Sequence, residues 1–421
     1  MNIAIIGGGT AGTTTAFFLR KIDKDVNITI VESSNFTQFS PCSLPYYLND
    51  EISDLYFFKE KDYKANNINL LLKTSVSSID RKKKIISTSN GELNYDVLVI
   101  ATGSTSFVPE GISGIALKNP DDINEISKKC KKGRKVAIIG GGYIGVELAY
   151  VLSEVGCKIV IFEATNQILP TLDNDMSEIV KQFLESKGIL VHTNVSIAQQ
   201  EKSLTLGKEK LDFDEIIVST GFKPNIELAK SIGLKINNGI VANEYLQAEK
   251  DIYVCGDCVE VKNLITQKHS SVFFATHAVK QAEIVAENIL GAKRKFEPVL
   301  NANISNVGIY VGSLGISSKV ADANGIKTIS AKSRGTSKSE HHRDAKELIV
   351  KIIADEKGKV IGSQIVGFED IAGRLDLMSL AIKNKNTIYD LAELETCYNP
   401  ASAPIYDAVT TAAKMCIKRM R

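Results

Sequence analysis

An α/β chain with two doubly wound parallel sheets and a C-terminal α+β unit is what this sequence predicts, on three observations. A pattern of apolar strand, glycine turn, helix and second strand occurs at the N-terminus and again near residue 140. Each copy is followed by another apolar strand that stops at a small, glycine-ended turn. Beyond about Pro298 the pattern changes to strands separated by turns and then two helical stretches. A chain of 421 residues is also too long for one hydrophobic core.

In the first copy, Ile3-Ala4-Ile5-Ile6 is a short, wholly apolar run of the kind a buried parallel strand shows. It runs into Gly7-Gly8-Gly9-Thr10-Ala11-Gly12, a helical stretch from Thr13 to Lys21, and the strand Ile28–Val31 ending in Glu32. Gly7 suits the tight turn, Gly9 lets the backbone approach a pyrophosphate, and Gly12 lets helix and strand pack closely. Glu32 can accept hydrogen bonds from a ribose. The second copy is Lys135–Ile139, then Gly140-Gly141-Gly142-Tyr143-Ile144-Gly145, a helix through Ser153, and Lys158–Phe162 ending in Glu163. Two Rossmann-like fingerprints imply two dinucleotides, most economically a flavin and a nicotinamide. Ala164-Thr165-Asn166-Gln167 follow Glu163 without a positive charge. That favours NADH, because a carboxylate repels a 2′-phosphate, and makes NADPH the poorer reductant.

Two later strands end alike. Tyr95–Ile100 stops at Ala101-Thr102-Gly103, and Glu215–Val218 stops at Ser219-Thr220-Gly221. Such turns lie at the carboxyl edge of a sheet, where ligands of open α/β folds sit. Ile252-Tyr253-Val254-Cys255-Gly256-Asp257 delivers a carboxylate suited to a polyol. Cys255 and Cys258 have the spacing of half a zinc site or of a redox pair, but no second pair follows and His269 is isolated, so neither a metal nor a thioredoxin-like dithiol is expected. Ser271 to Leu290 reads as an amphipathic helix. Strands are expected around Ile309, Ile329 and Leu348–Ile353, and helices near Ala372–Lys383 and Ile405–Ile417. The last helix, ending Lys418-Arg419-Met420-Arg421, suits a dimer interface better than a membrane surface.

Hydrophobic residues at 44% and charged residues at 24% are ordinary for a globular protein. A net charge of +2 gives no reason to expect nucleic acid or an anionic membrane as partner. Seven scattered cysteines make no disulfide framework and fit a reducing compartment. The first strand begins at Asn2, which leaves no room for a signal peptide, and no apolar run approaches the ~20 residues of a membrane span. A cytoplasmic location is therefore expected.

Phe39-Ser40-Pro41-Cys42-Ser43-Leu44-Pro45-Tyr46-Tyr47 holds a cysteine with no other close by in sequence. Ser40 suits an N-cap and Pro41 the first helical position. Cys42 is then expected at a helix N-terminus, where the macrodipole favours the thiolate and lowers its pKa.

With these residues assembled, the sequence resembles the flavoprotein disulfide reductases over nearly its whole length. Within them it is similar to the single-cysteine branch of coenzyme A-disulfide reductase, NADH oxidase, NADH peroxidase and sulfur reductases. Both fingerprints, the Cys42 stretch, Ala101-Thr102-Gly103, Tyr143 with Glu147, Gly256-Asp257, Gly362–Gly367 and Tyr398-Asn399-Pro400 fall in family order. The resemblance implies an FAD-binding domain from 1–110 and 240–298, an NAD(P)H-binding domain from 111–239, and a dimerisation domain from 299–421. It implies that Tyr143 covers the nicotinamide face of FAD, that Asp257 holds the ribityl chain, and that Tyr398 of the partner subunit reaches Cys42. Arg20 and Lys21 become candidates for coenzyme A phosphates, because family members carry basic residues there.

The implied activity is hydride transfer from NADH to FAD and electron transfer onward to oxidised Cys42, which reduces a small disulfide, first of all coenzyme A disulfide. One cysteine is oxidised as a mixed disulfide, a persulfide or a sulfenic acid. The same scaffold therefore also suits an NADH oxidase or peroxidase, or a sulfur or polysulfide reductase. From other classes, a membrane-docked sulfide:quinone oxidoreductase calls for further active cysteines and a more apolar C-terminus. A non-enzymatic flavin-binding electron-transfer partner gives no reason for a thiol beside the flavin.

Overall fold

Residues 1–420 are described by a computed structural model. Asn2–Ile6 lies inside a six-stranded sheet ordered Gln247–Glu249, Ile252–Val254, Val97–Ile100, Asn2–Ile6, Asn27–Val31, Ile68–Leu71. Its neighbours are parallel except for the edge pair Gln247–Glu249 and Ile252–Val254. The chain leaves Asn2–Ile6 to one side and returns on the other at Val97–Ile100, and this reversal opens a crevice at the carboxyl ends of the strands. Val97–Ile100 is buried at every position, as a strand covered on both faces must be. The helices Thr10–Ile22 and Ala275–Ile289 pack against each other beside it.

The second sheet repeats the plan. Its order is Leu190–His192, Lys158–Phe162, Lys135–Ile139, Glu215–Val218, Ile115–Ala116, and every pair is parallel. Each unit also carries a three-stranded antiparallel meander just before its return strand. In the first this is Val76–Asp80, Ile85–Thr88 and Gly91–Asn94; in the second it is Ile197–Gln200, Ser203–Leu206 and Glu209–Asp212. The sequence reading places neither, because these strands are short and of mixed polarity.

The C-terminal sheet is antiparallel, ordered Asn303–Asn306, Tyr310–Gly315, Val360–Gly367, Glu347–Asp355, Thr328–Thr336. Ile371–Lys383 packs on Tyr310–Gly315 and Val360–Gly367, and Ala408–Met420 on Thr328–Thr336 and Glu347–Asp355. The terminal helix starts later than expected because Asp407 caps it, accepting the Val409 N–H at 2.8 Å; Arg421 lies outside the described residues. Ser271 is likewise not helical. His269–Ser271 pairs with Glu260–Lys262, and the helix begins at Ala275. Among the described residues no helix is long and apolar enough to cross a membrane.

One polar joint seats the second unit on the C-terminal sheet. Lys351, buried in the middle of its strand, reaches Asp173 at 2.8 Å and Asp175 at 2.6 Å at the start of helix Asn174–Ser186. The Asp173 carboxylate also accepts the N–H and hydroxyl of Ser318, both at 2.8 Å.

Candidate active site in the joined cleft

The crevices of the two parallel sheets open into one cleft of about 2830 Å³. A drug-sized pocket is roughly 300–1,000 Å³, so there is room for more than one large ligand. The glycines at its mouth separate by what a Cβ would meet. At Gly7 (φ +106) it would lie 2.2 Å from the Ala101 carbonyl oxygen, and at Gly12 1.9 Å from that of Gly7. Gly140 (φ +108) and Gly145 repeat this, against Ser219 at 2.2 Å and Gly140 at 2.1 Å. Gly9 and Gly142 differ. Both have negative φ, at −72° and −73°. A Cβ at either would meet no protein atom within 4 Å. Nothing in the fold demands glycine there, and both line the cleft. An open cradle at a helix N-terminus is what a pyrophosphate requires, so these residues fit FAD in the first unit and NADH in the second.

The two acids are used alike. Glu32 accepts the Gly8 N–H at 2.6 Å and the Ser34 N–H at 2.7 Å. Glu163 accepts the Gly141 and Thr165 N–H groups, both at 2.7 Å. Each carboxylate thus braces its own glycine turn while lining the cleft where a ribose would lie. Ala101, Thr102, Gly103, Ile144 and Gly221 line it as well. Thr102 and Asn225 exchange two hydrogen bonds, at 2.7 and 2.8 Å, that tie the two return strands' turns together.

Cys42 is the one cysteine of the seven that lines the cleft. It does not start an α-helix. Pro41–Ser43 and Pro45–Tyr47 are successive 3₁₀ turns. Pro45 has no N–H to bond the Pro41 carbonyl, so Leu44 bonds it instead at 3.3 Å. Ser40 caps no amide; its Oγ accepts the Ser43 hydroxyl at 2.7 Å. The expectation of a depressed thiol pKa is overturned with the helix. Burial, then the Glu147 and Asp257 carboxylates, push the thiol up from its ordinary value, and only the Lys118 ammonium pulls it down. Cys42 is reached by solvent through the cleft, but protein surrounds it closely enough for desolvation to dominate.

Around the sulfur stand Lys118, to which sequence reasoning gave no role, and acids whose hydrogen-bond partners it did not find. Lys118 donates to Ser104 Oγ at 2.9 Å, and Ser104 donates to Asp257 at 2.7 Å. Asp257 thus lies in the cleft as expected, already tied to a cation. Glu147 accepts the Ser305 hydroxyl at 2.7 Å and the Tyr46 hydroxyl at 3.0 Å, so a helix of the second unit, a turn of the first and a strand of the C-terminal sheet meet at one carboxylate. Burial raises its pKa against those bonds. Tyr143 lines the cleft with its hydroxyl 2.7 Å from that of Thr171 and 3.2 Å from that of Ser313. All these partners are remote in sequence, and only Pro45 carried a usable signal.

Arg20 and Lys21 are not brought to the cleft. Arg20 is 6% exposed, and its guanidinium donates to the carbonyls of Asn66, Lys24, Val26 and Asn67 at 2.9, 2.5, 2.7 and 3.0 Å and, more weakly, to that of Asp23 at 3.5 Å. It clamps the loops at the end of the first helix and has no donors to spare for a phosphate. Lys21 lies over the Phe18 ring, 5.7 Å from its centroid. Tyr398 is 54% exposed and does not line the cleft of its own chain. Cys255 and Cys258 are wholly buried, and burial pushes their thiols up to about 12 and about 11.

Two Rossmann-like units sharing a cleft with one thiol, beside a C-terminal dimerisation domain, define an NAD(P)H-dependent flavoprotein oxidoreductase that binds FAD. The sequence model of the pyridine nucleotide-disulphide oxidoreductases matches residues 1–282, and that of their dimerisation domain matches residues 307–409. The chain belongs to this family. An NADH oxidase of Methanocaldococcus jannaschii is 36% identical over 100% of this chain and 99% of its own. An NAD(P)H sulfur oxidoreductase (CoA-dependent) of Pyrococcus abyssi is 28% identical over 98% of this chain and 97% of its own. Among solved structures, an NAD-dependent persulfide reductase from A. fulgidus superposes with a TM-score of 0.96 at 30% identity, covering 100% of this chain and 83% of that one.

Proposed function

We propose that this chain is an NADH-dependent reductase of sulfur–sulfur bonds in small molecules, with Cys42 as the acceptor sulfur and coenzyme A disulfide as its first substrate. The observation that carries the reading is that one thiol, and one only, lines the cleft shared by the two dinucleotide cradles. Bound FAD supplies two-electron exchange between a hydride donor and such an acceptor. The chain's part is to present the Cys42 thiolate, with the Lys118 ammonium beside it, for attack on one sulfur of the substrate; the substrate S–S bond breaks, one thiol leaves as its thiolate, and the other half stays on Cys42 as a mixed disulfide. The P. abyssi relative, CoA-dependent by name, supports coenzyme A as the thiol. The clamped Arg20 means that its phosphates are held elsewhere than at the end of the first helix. Tyr398 of the partner subunit completes the site in a homodimer. The domain boundaries are those drawn above, Glu163 makes NADH the better reductant than NADPH, and seven free cysteines support a cytoplasmic location.

The name of the M. jannaschii relative favours a second reading, oxygen or peroxide reduction through a Cys42 sulfenic acid. Peptide mass spectrometry of the purified protein separates the two. An adduct of coenzyme A mass on the Cys42 peptide supports the first, and added oxygen atoms on that peptide support the second. Steady-state NADH consumption with coenzyme A disulfide under argon is the direct test, and no turnover there overturns the first.

A further inference from the structure

Tyr143 is the first residue of helix Tyr143–Glu154, directly after the open cradle of Gly142. It lines the cleft, and its hydroxyl is tied down by two groups from different parts of the molecule that line the cleft as well. Thr171 Oγ1, 2.7 Å away, belongs to the second dinucleotide unit. Ser313 Oγ, 3.2 Å away, belongs to strand Tyr310–Gly315 of the C-terminal sheet. Ser313 is buried and is itself positioned by Asn303, which donates to it at 3.1 Å. Thr171 is presented by an unusual turn. Leu169, a buried leucine, takes the left-handed conformation (φ +49), and its N–H bonds the Gly141 carbonyl at 2.8 Å. Two residues on, Asp173 carries the ion pair with Lys351. The turn is therefore anchored at one end to the glycine fingerprint and at the other to the C-terminal sheet.

We propose that Thr171 and Ser313 are a latch on Tyr143: they hold the ring across the nicotinamide side of the cleft, and their two hydrogen bonds set the cost of moving it aside for the dinucleotide. Thr171 and Ser313 are positioning residues in this scheme and touch no reacting atom. The inference rests on the reading of Tyr143 as the residue that covers the nicotinamide side. A neutral hydrogen bond contributes about 0.5–1.5 kcal/mol net, so each latch bond weakens dinucleotide binding by a factor of about 2 to 12. A nicotinamide that displaces the ring must break both, which is a conformational cost that removing either group lowers.

The test is calorimetric titration of the FAD-loaded protein with NAD⁺, which binds without reducing it, for Thr171→Val, Ser313→Ala, Tyr143→Phe and Tyr143→Ala. The expected result is a Kd lowered about 2- to 12-fold in Thr171→Val and in Ser313→Ala, and lowered at least as far in Tyr143→Phe, with Thr171→Val adding nothing in the Tyr143→Phe background. A residue that merely supported the fold would not tighten binding when truncated. If Tyr143→Phe tightens binding while Thr171→Val and Ser313→Ala leave Kd unchanged or raise it, the latch is overturned and the covering ring stands. If Tyr143→Ala leaves Kd unchanged, the ring does not cover the site, and the reading beneath the proposal fails as well. Thr171 is exposed, so Thr171→Val decides the question even where Ser313→Ala does not fold.

Discussion

Gly9→Ala separates a glycine kept for the fold from one kept for a ligand. Gly9 has φ −72 and ψ −165, which alanine adopts freely, and the added methyl would meet no protein atom within 4 Å. Alanine narrows the unfolded ensemble, worth about 0.4–1 kcal/mol in favour of the variant. It is a poorer N-cap than glycine by a similar amount, so the two nearly cancel. The apoprotein should therefore melt within a degree or two of the parent. FAD binding should suffer, because the methyl occupies the open space where the pyrophosphate must approach. Overpacking of one methyl group costs about 1–3 kcal/mol, or about 5- to 150-fold in Kd. Gly7→Ala is the contrast. A Cβ there would lie 2.2 Å from the Ala101 carbonyl at φ +106, so loss of the fold by roughly 3 kcal/mol or more is expected. Thermal melts of both apoproteins and flavin-fluorescence titrations read the two quantities independently. A destabilised Gly9→Ala apoprotein with the parent's FAD affinity would refute the assignment of the cradle.

Cys42→Ser should retain FAD and its reduction by NADH, and should lose turnover of disulfide; stopped-flow reoxidation by coenzyme A disulfide at the parent's rate would make Cys42 a bystander. Arg20→Ala should cost on the order of 3 kcal/mol by stranding buried carbonyls, and lower Tm by several degrees without changing KM for coenzyme A disulfide; the converse pattern would restore Arg20 to the substrate site. Iodoacetamide alkylation of Cys42 in the apoprotein should have its midpoint above the ordinary thiol range, so the rate climbs about tenfold per pH unit through neutrality. Glu147→Gln removes a carboxylate that opposes ionisation and should move that midpoint down; a midpoint below the ordinary range in the parent would contradict the environment described.

What the sequence made legible is what depends on neighbours along the chain. The positive φ of Gly7 and Gly140 and the close approach of Gly12 to Gly7 and of Gly145 to Gly140 arise within turns a few residues long, and the apolar runs Ile3–Ile6 and Val97–Ile100 announce burial on both faces. The α+β character of the C-terminal unit was legible for the same reason. Cys42 was misread although the signal was local: Pro45 forbids the bond that an α-helix from Pro41 requires. Arg20 was misread because the carbonyls of Asn66 and Asn67 come from a loop whose approach no pattern near residue 20 reveals. Lys118, Glu147, Thr171 and Ser313 gain their surroundings only when separate units meet.

That meeting is itself specified by polar joints. Apolar faces attract without direction, so the burial that brings the three sheets together does not by itself fix how the second crevice faces the first. Directional bonds between units do: Thr102 with Asn225 across the two return turns, Glu147 with Tyr46 and Ser305, and Lys351 with Asp173. A buried ion pair such as the last adds little net stability over a well-packed apolar pair, yet loss of one partner costs about 3–5 kcal/mol. Such contacts penalise every arrangement but one. Two of these joints lie close in sequence to a cleft-lining residue, Asp173 two residues beyond Thr171 and Tyr46 four residues beyond Cys42. The same bonds that orient the units therefore also help to place Thr171, which holds the Tyr143 hydroxyl, and the turn that carries Cys42.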